Sequence, residues 1–149
     1  MSVMEHIAHL IETRPLIALH LFSALIALVL GIVVMRRRKG TVNHKLLGWT
    51  WVVLMATAAI SSAFIRDYHL PNIAGYTPIH VFTAFVAVGL PMGIWRIRHG
   101  NVAGHRQVMT RMFFVACVVA GLFTLLPGRF LGDLLWKHTL AMASIPKSD

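Results

Sequence analysis

The sequence predicts an all-α integral membrane protein: a four-helix transmembrane bundle made of two tandem two-helix repeats, with short amphipathic helices at its termini. Three observations predict it. The chain has 149 residues, 57% of them hydrophobic and 13% charged, with a mean hydropathy of +0.71; a water-soluble domain of this size carries more charge. Charge-free stretches of membrane-crossing length recur. Finally, a shift of 60 residues lays Ala18 to Val42 on Pro78 to Val102, with nine of 25 positions identical.

The elements follow in order. Residues 1–13 predict a surface helix, with Ile7, Leu10 and Ile11 on one face and Glu5, His9 and Glu12 on another. Pro15 suits the first turn of the first span. Leu16 to Met35 and Leu46 to Ile65 are each 20 residues without a charge, and a spanning helix needs roughly 20 apolar residues. Asn43 is the expected N-cap of the second span. Residues 66–77, with Asp67, His69, Pro71, Asn72 and Gly75, read as an ordered outer loop. The third span is expected at about 78–96, opened by Thr77-Pro78 and kinked by Pro91 and Gly93. The fourth is expected at about 107–127, stopped by Pro127-Gly128. Residues 130–143 then predict a second surface helix. One membrane domain covers 1–149, with repeats at about 16–65 and 78–127.

The net charge is +9. Arg36, Arg37, Arg38, Lys39 and Lys45 surround the first connection, and Arg96, Arg98, Arg106 and Arg111 the third. The positive-inside rule places both connections in the cytoplasm and both termini outside it. The basic character then expresses topology and attraction to anionic lipid rather than nucleic-acid binding. No cleavable signal peptide is expected, and the first span reads as a retained anchor. The lone cysteine, Cys117, excludes the paired-cysteine chemistry of disulfide-forming membrane proteins. None of the acidic residues, Glu5, Glu12, Asp67, Asp133 and Asp149, falls within a predicted span, which argues against proton-coupled transport. No hydrolase or phosphate-loop motif occurs.

Identical positions in the repeat include His20/His80, Ala24/Ala84 and Ala27/Ala87. After one inserted residue, His44 falls on His105 and Lys45 on Arg106. A two-helix unit crosses the membrane twice, so both copies run in the same direction and are related by an axis along the membrane normal. The first span then faces the third and the second faces the fourth. That symmetry sets His20 against His80 near the outer side and His44 against His105 near the inner side. Paired imidazoles are strong axial ligands for haem iron. The competing explanation for His20 and His80 is a structural hydrogen bond to Ser61, Ser62 or a loop carbonyl; for His44 and His105 it is capping of a helix start or binding of lipid phosphate. Ala24, Ala27, Gly31 and their counterparts Ala84, Ala87 and Pro91 would leave room for a macrocycle or allow close helix packing. Arg129 could hold a haem propionate, a quinone headgroup or a lipid phosphate, or simply snorkel. Glu5, His9 and Glu12 have metal-binding spacing but also suit a solvated face.

The string Arg38-Lys39-Gly40-Thr41-Val42-Asn43-His44-Lys45-Leu46-Leu47-Gly48-Trp49 is distinctive, as are Ser61-Ser62, Pro78-Ile79-His80, His99-Gly100-Asn101 through His105-Arg106, and Ala120-Gly121-Leu122-Phe123 leading to Pro127-Gly128-Arg129. Over about residues 15–130 these resemble a bacterial family of predicted membrane proteins, domain of unknown function 2306. The resemblance implies a multi-pass protein of the bacterial inner membrane and no stated activity. The histidine layout is also similar to that of transmembrane di-haem cytochromes b, which implies an outer haem at His20 and His80 and an inner one at His44 and His105. The sequence therefore points to a b-type electron carrier exchanging electrons with quinol. The alternatives are an accessory subunit of a larger respiratory or photosynthetic membrane complex, and a lipid- or quinone-binding protein without metal.

Overall fold

The computed structural model describes residues 3–65, 80–125 and 132. Among the described residues every regular element is helical. The elements are α1 (Val3–Thr13), α2 (Pro15–Arg36), α3 (Val42–Phe64), α4 (His80–Arg98) and α5 (Val102–Thr124). Helices α2 to α5 are the four long, apolar segments able to cross a membrane. The outer loop and the terminal helix expected at 130–143 lie outside the described residues.

The two basic turns are built alike. Gly40 and Gly100 adopt φ of 81° and 74°, left-handed values that cost a side-chain-bearing residue strain. Each glycine is followed by an N-cap. Thr41 accepts the His44 backbone N–H at 3.2 Å, and Asn101 Oδ1 accepts that of Gly104 at 2.7 Å. The expected cap at Asn43 is thus corrected to Thr41, and Asn43 sits inside the first turn of α3. Lys39 Nζ donates to the carbonyls of Val34, Met35 and Arg37, closing the C-terminal end of α2. Helix α4 continues unbroken through Pro91.

The spans form a ring: α2 packs on α3, α3 on α4, α4 on α5, and α2 meets the middle of α5. Helix α2 therefore stands diagonally opposite α4, and α3 opposite α5. The core runs along the ring's axis through Ala27, Trp51, Met55, Val86, Leu90, Met112, Phe113 and Cys117. Tight spots are filled by glycine. Gly31 lies under the Phe113 ring and Trp51, Gly89 receives Met112, and Gly93 receives Met109. Trp51 Nε1 donates to the Ala27 carbonyl at 3.0 Å, which satisfies a buried indole and ties α3 to α2.

Two departures from simple symmetry bear on the site. Helix α2 buries Ser23, Ala27 and Gly31, whereas α4 buries Val86, Gly89, Leu90 and Gly93. Ala84, Ala87 and Pro91, the counterparts of Ala24, Ala27 and Gly31, are exposed. Helix α4 is rolled about its axis relative to α2, because its Gly89 and Gly93 offer the flattest surface to the α5 methionines. The expectation that both copies' small residues line one space is corrected: of the six, Ala24 lines a cavity inside the bundle, while Ala27 and Gly31 are packed in the core. Second, α5 is α-helical over Val102–Met112, becomes a π-helix over Phe113–Val119 and returns to α over Ala120–Thr124.

Candidate functional site

A cavity of about 290 Å³ lies between α2, α3, α4 and the second half of α5, toward the end of the bundle away from the two basic turns. Its lining is mostly apolar, with His20, Ser62, His80, Thr83 and Thr124 as polar members. Ala24, Ala58, Ala59, Ala116, Ala120 and Gly121 keep it open. Its volume is at the small end of the roughly 300–1,000 Å³ typical of ligand pockets.

His20 comes from the second turn of α2. Its Nδ1 donates to the Ala58 carbonyl at 2.9 Å, with Ser61 Oγ at 3.4 Å. A carbonyl can only accept, so Nδ1 carries the proton and Nε2 keeps its lone pair. Ser61 is itself anchored on the carbonyls of Thr57 and Ala58 at 2.7 and 3.1 Å. Beside it, Ser23 hydrogen-bonds the carbonyls of Leu19 and His20. Membrane interiors demand such partners for every hydroxyl.

His80 starts the described part of α4. Its Nε2 donates to the carbonyl of Ile65, the residue that caps the end of α3, at 3.1 Å. Both histidines therefore line one cavity, and each holds a carbonyl on the α3 side of the ring. Ser62 and Thr83 share a hydrogen bond of 2.9 Å that joins α3 to α4 on the cavity wall.

Haem between two histidines needs one nitrogen of each ring directed at the metal and the other, preferably, held by an outer partner. His20 meets both conditions, since Ala58 fixes Nδ1. His80 lines the same cavity with Nε2 held by Ile65, which puts the ring's lone pair on Nδ1. Cys117 and Met55 also line the cavity and lie 3.4 Å apart, thiol against thioether. Among the described residues no group of three or more His, Cys, Asp or Glu side chains converges to hold a metal ion; Glu5, His9 and Glu12 are exposed on α1.

The inner pair sits at the first turns of α3 and α5. His105 Nδ1 donates to the Gly93 carbonyl at 2.9 Å, the same kind of anchor that His20 uses. His44 Nδ1 is buried without a hydrogen-bond partner, and the Val34 carbonyl at the end of α2 accepts from Lys39 Nζ at 3.1 Å. Arg129 lies outside the described residues.

Sequence reasoning missed Thr83 and Cys117 as cavity residues. The signal for Thr83 was available, because it is the repeat counterpart of Ser23. Cys117 reaches the cavity through the π-helix, which no periodicity in the sequence announces.

Fold and site define a four-span helical membrane protein with a histidine-lined cavity inside its bundle. A family model described as "Predicted membrane protein (DUF2306)" matches residues 17–143, and the chain belongs to that family. No curated protein and no solved structure matches it.

Proposed function

We propose that this protein is a membrane-embedded electron carrier of the b-type cytochrome kind, with haem b held between His20 and His80. The observation that supports this most is the shared cavity: histidines from equivalent positions of the repeat, on diagonally opposed helices, open onto one apolar space. His20 would ligate through Nε2, because Ala58 holds Nδ1 and thereby fixes the ring and raises its basicity. His80 would supply the opposite ligand through Nδ1, with the Ile65 carbonyl holding Nε2. Haem bound there would supply one-electron chemistry. The chain itself supplies ligands, small side chains that keep the space open, and apolar walls that exclude water. Ser62 and Thr83 place hydroxyls on the wall for a polar edge. Arg129, at the outer boundary of the sequence pattern, would face a propionate.

His44 and His105 would hold a second haem near the inner side; the Gly93 anchor on His105 and the unpartnered His44 nitrogen favour a ligand there. Quinol is the proposed exchange partner, and membrane lipid surrounds the bundle. By the positive-inside rule the basic turns would lie on the cytoplasmic side of a bacterial inner membrane, with both termini on the other side. A second reading, a quinone held without metal, draws support from the cavity's modest 290 Å³ and from its imidazole and hydroxyl donors.

The test is the visible spectrum of the full-length protein purified in detergent from haem-replete cells. A Soret band with sharp α and β bands on reduction is expected. His20→Ala and His80→Ala should each remove the same outer species, and His44→Ala should leave it. A folded, colourless protein overturns the haem assignment and leaves the quinone and accessory-subunit readings.

A further inference from the structure

We infer that Gln107 and Arg111 form a lipid-facing site for the phosphate of an anionic phospholipid in the inner leaflet, independent of any cofactor in the outer cavity. Arg111 stands inside the fourth span, and Gln107 one turn before it. Both are exposed, on the same stripe of α5 as Phe114, which is 52% exposed. On a membrane-spanning helix that exposure is to lipid. Ionised groups inside spans are rare and carry function by default.

Duplication does not explain the charge. The register that pairs His44 with His105 pairs Leu46 with Gln107 and Thr50 with Arg111. The structure follows that register. Trp51 and Met112 are both buried, Thr50 and Arg111 both exposed, and Leu46 and Gln107 both exposed. Thr50 satisfies its hydroxyl on the Leu46 carbonyl at 3.1 Å. The second copy thus replaces a self-satisfied, apolar stripe by a polar one at an equivalent lipid-facing position.

Among the described residues nothing neutralises Arg111. The chain's acidic residues are Glu5, Glu12, Asp67, Asp133 and Asp149, none of them within a span. Among the described residues no hydrogen bond or ion pair holds its guanidinium. A second copy of this chain brings no carboxylate on its four described spans either. The lipid phosphate is the anion within reach. Arg111 lies five residues below Arg106, about 7.5 Å along the helix. Helical side chains lean toward the helix N-terminus, here the basic inner end, so the arginine stem climbs toward the headgroups. Gln107 lies on that path and offers an amide N–H to the same oxygens. The guanidinium fork matches phosphate in a way that a lysine does not. The basic turns around Arg38 and Arg98 draw anionic lipid to this end and set the background that the site must exceed.

Native mass spectrometry of the delipidated full-length protein, titrated with phosphatidylglycerol or phosphatidylcholine, tests this. Wild type should retain one phosphatidylglycerol more tightly than the rest. Arg111→Ala should weaken that adduct by about fivefold or more, the worth of at least one surface cation. Arg111→Lys should restore it incompletely, and Arg38→Ala, an equal loss of charge on the turn, should leave it. Millimolar inorganic phosphate should not displace it; displacement would assign the site to free phosphate. Equal retention by wild type, Arg111→Ala and Arg38→Ala overturns the proposal. If Arg111→Ala fails to fold, a photo-reactive residue at position 107 in native membranes decides the matter, with lipid adducts supporting the site and a protein adduct at that position overturning it.

Discussion

Gly31→Ala tests whether α2 and α5 meet as closely as described. A Cβ at Gly31 would lie 2.5 Å from Phe113 Cδ2, 2.6 Å from Cε2 and 2.9 Å from Trp51 Nε1. Neither ring can yield freely. Trp51 is held by its 3.0 Å bond to Ala27, and Phe113 packs edge-on against Phe114 with centroids 5.3 Å apart. Overpacking of this kind costs about 1–3 kcal/mol. Against it stands the better helix propensity of alanine, about 1 kcal/mol. Gly48→Ala isolates the second effect, because nothing lies within 4 Å of a Cβ there. The two variants should therefore separate by about 1–3 kcal/mol, or roughly 2–12 °C at about 2–4 °C per kcal/mol. The assay can use the protein's own reporter. Cys117 is the single cysteine and is buried, so a thiol-reactive dye fluoresces only as the bundle opens on heating. If Gly31→Ala melts at or above Gly48→Ala, the Gly31–Phe113–Trp51 contact is wrong.

Three further outcomes are expected. Trp51→Phe should leave the Ala27 carbonyl with its intrahelical bond but without the indole N–H and cost about 0.5–1.5 kcal/mol for that bond, read as a lower melting temperature with the helical content of the folded protein unchanged. Reporter fusions at Gly40 and Gly100 should both read cytoplasmic and a fusion at Asn72 the opposite side; Gly40 and Asn72 on one side would refute the span order. His20→Gln should keep the contact with Ala58 better than His20→Ala in a thermal melt, while both lose the haem spectrum; a melt that ranks them equally would separate His20 from that carbonyl.

The spans were legible because hydropathy and length report directly on transfer into lipid. Boundaries were less so. The second span begins at Val42 rather than 46, since Thr41 caps it and the polar residues Asn43, His44 and Lys45 are tolerated in the first turn. The fourth begins at Val102 for the same reason, with Asn101 as cap. Position 60 apart makes Gly40-Thr41 and Gly100-Asn101 equivalent, so the second cap could have been found from the first. The π segment Phe113–Val119 was not legible, because a π turn changes backbone pairing without a composition of its own. The paired histidines were visible as a repeat, but the carbonyls they hold were not. Those depend on how far each helix is rolled, which is decided by packing.

That roll explains why equivalent residues are not equivalently placed. A perfect twofold would give His80 a partner on α5 matching the Ala58 carbonyl that His20 finds on α3. Instead His80 bonds Ile65, also on the α3 side, because α4 turns Gly89 and Gly93 toward Met112 and Met109 and carries His80 round with them. The fourth span has meanwhile widened into a π-helix beside the cavity, where Ala116 and Cys117 replace the regular wall. Each change serves packing on one side of the ring and opens the other. The cavity follows from this asymmetry: three α-helices and one π segment cannot fill the axis with the small residues that α2 and α3 present at Ala24, Ala58 and Ala59. His20 and His80, equivalent in the repeat, border that space from unequal settings, one held by Ala58 within α3 and the other by Ile65 at its end.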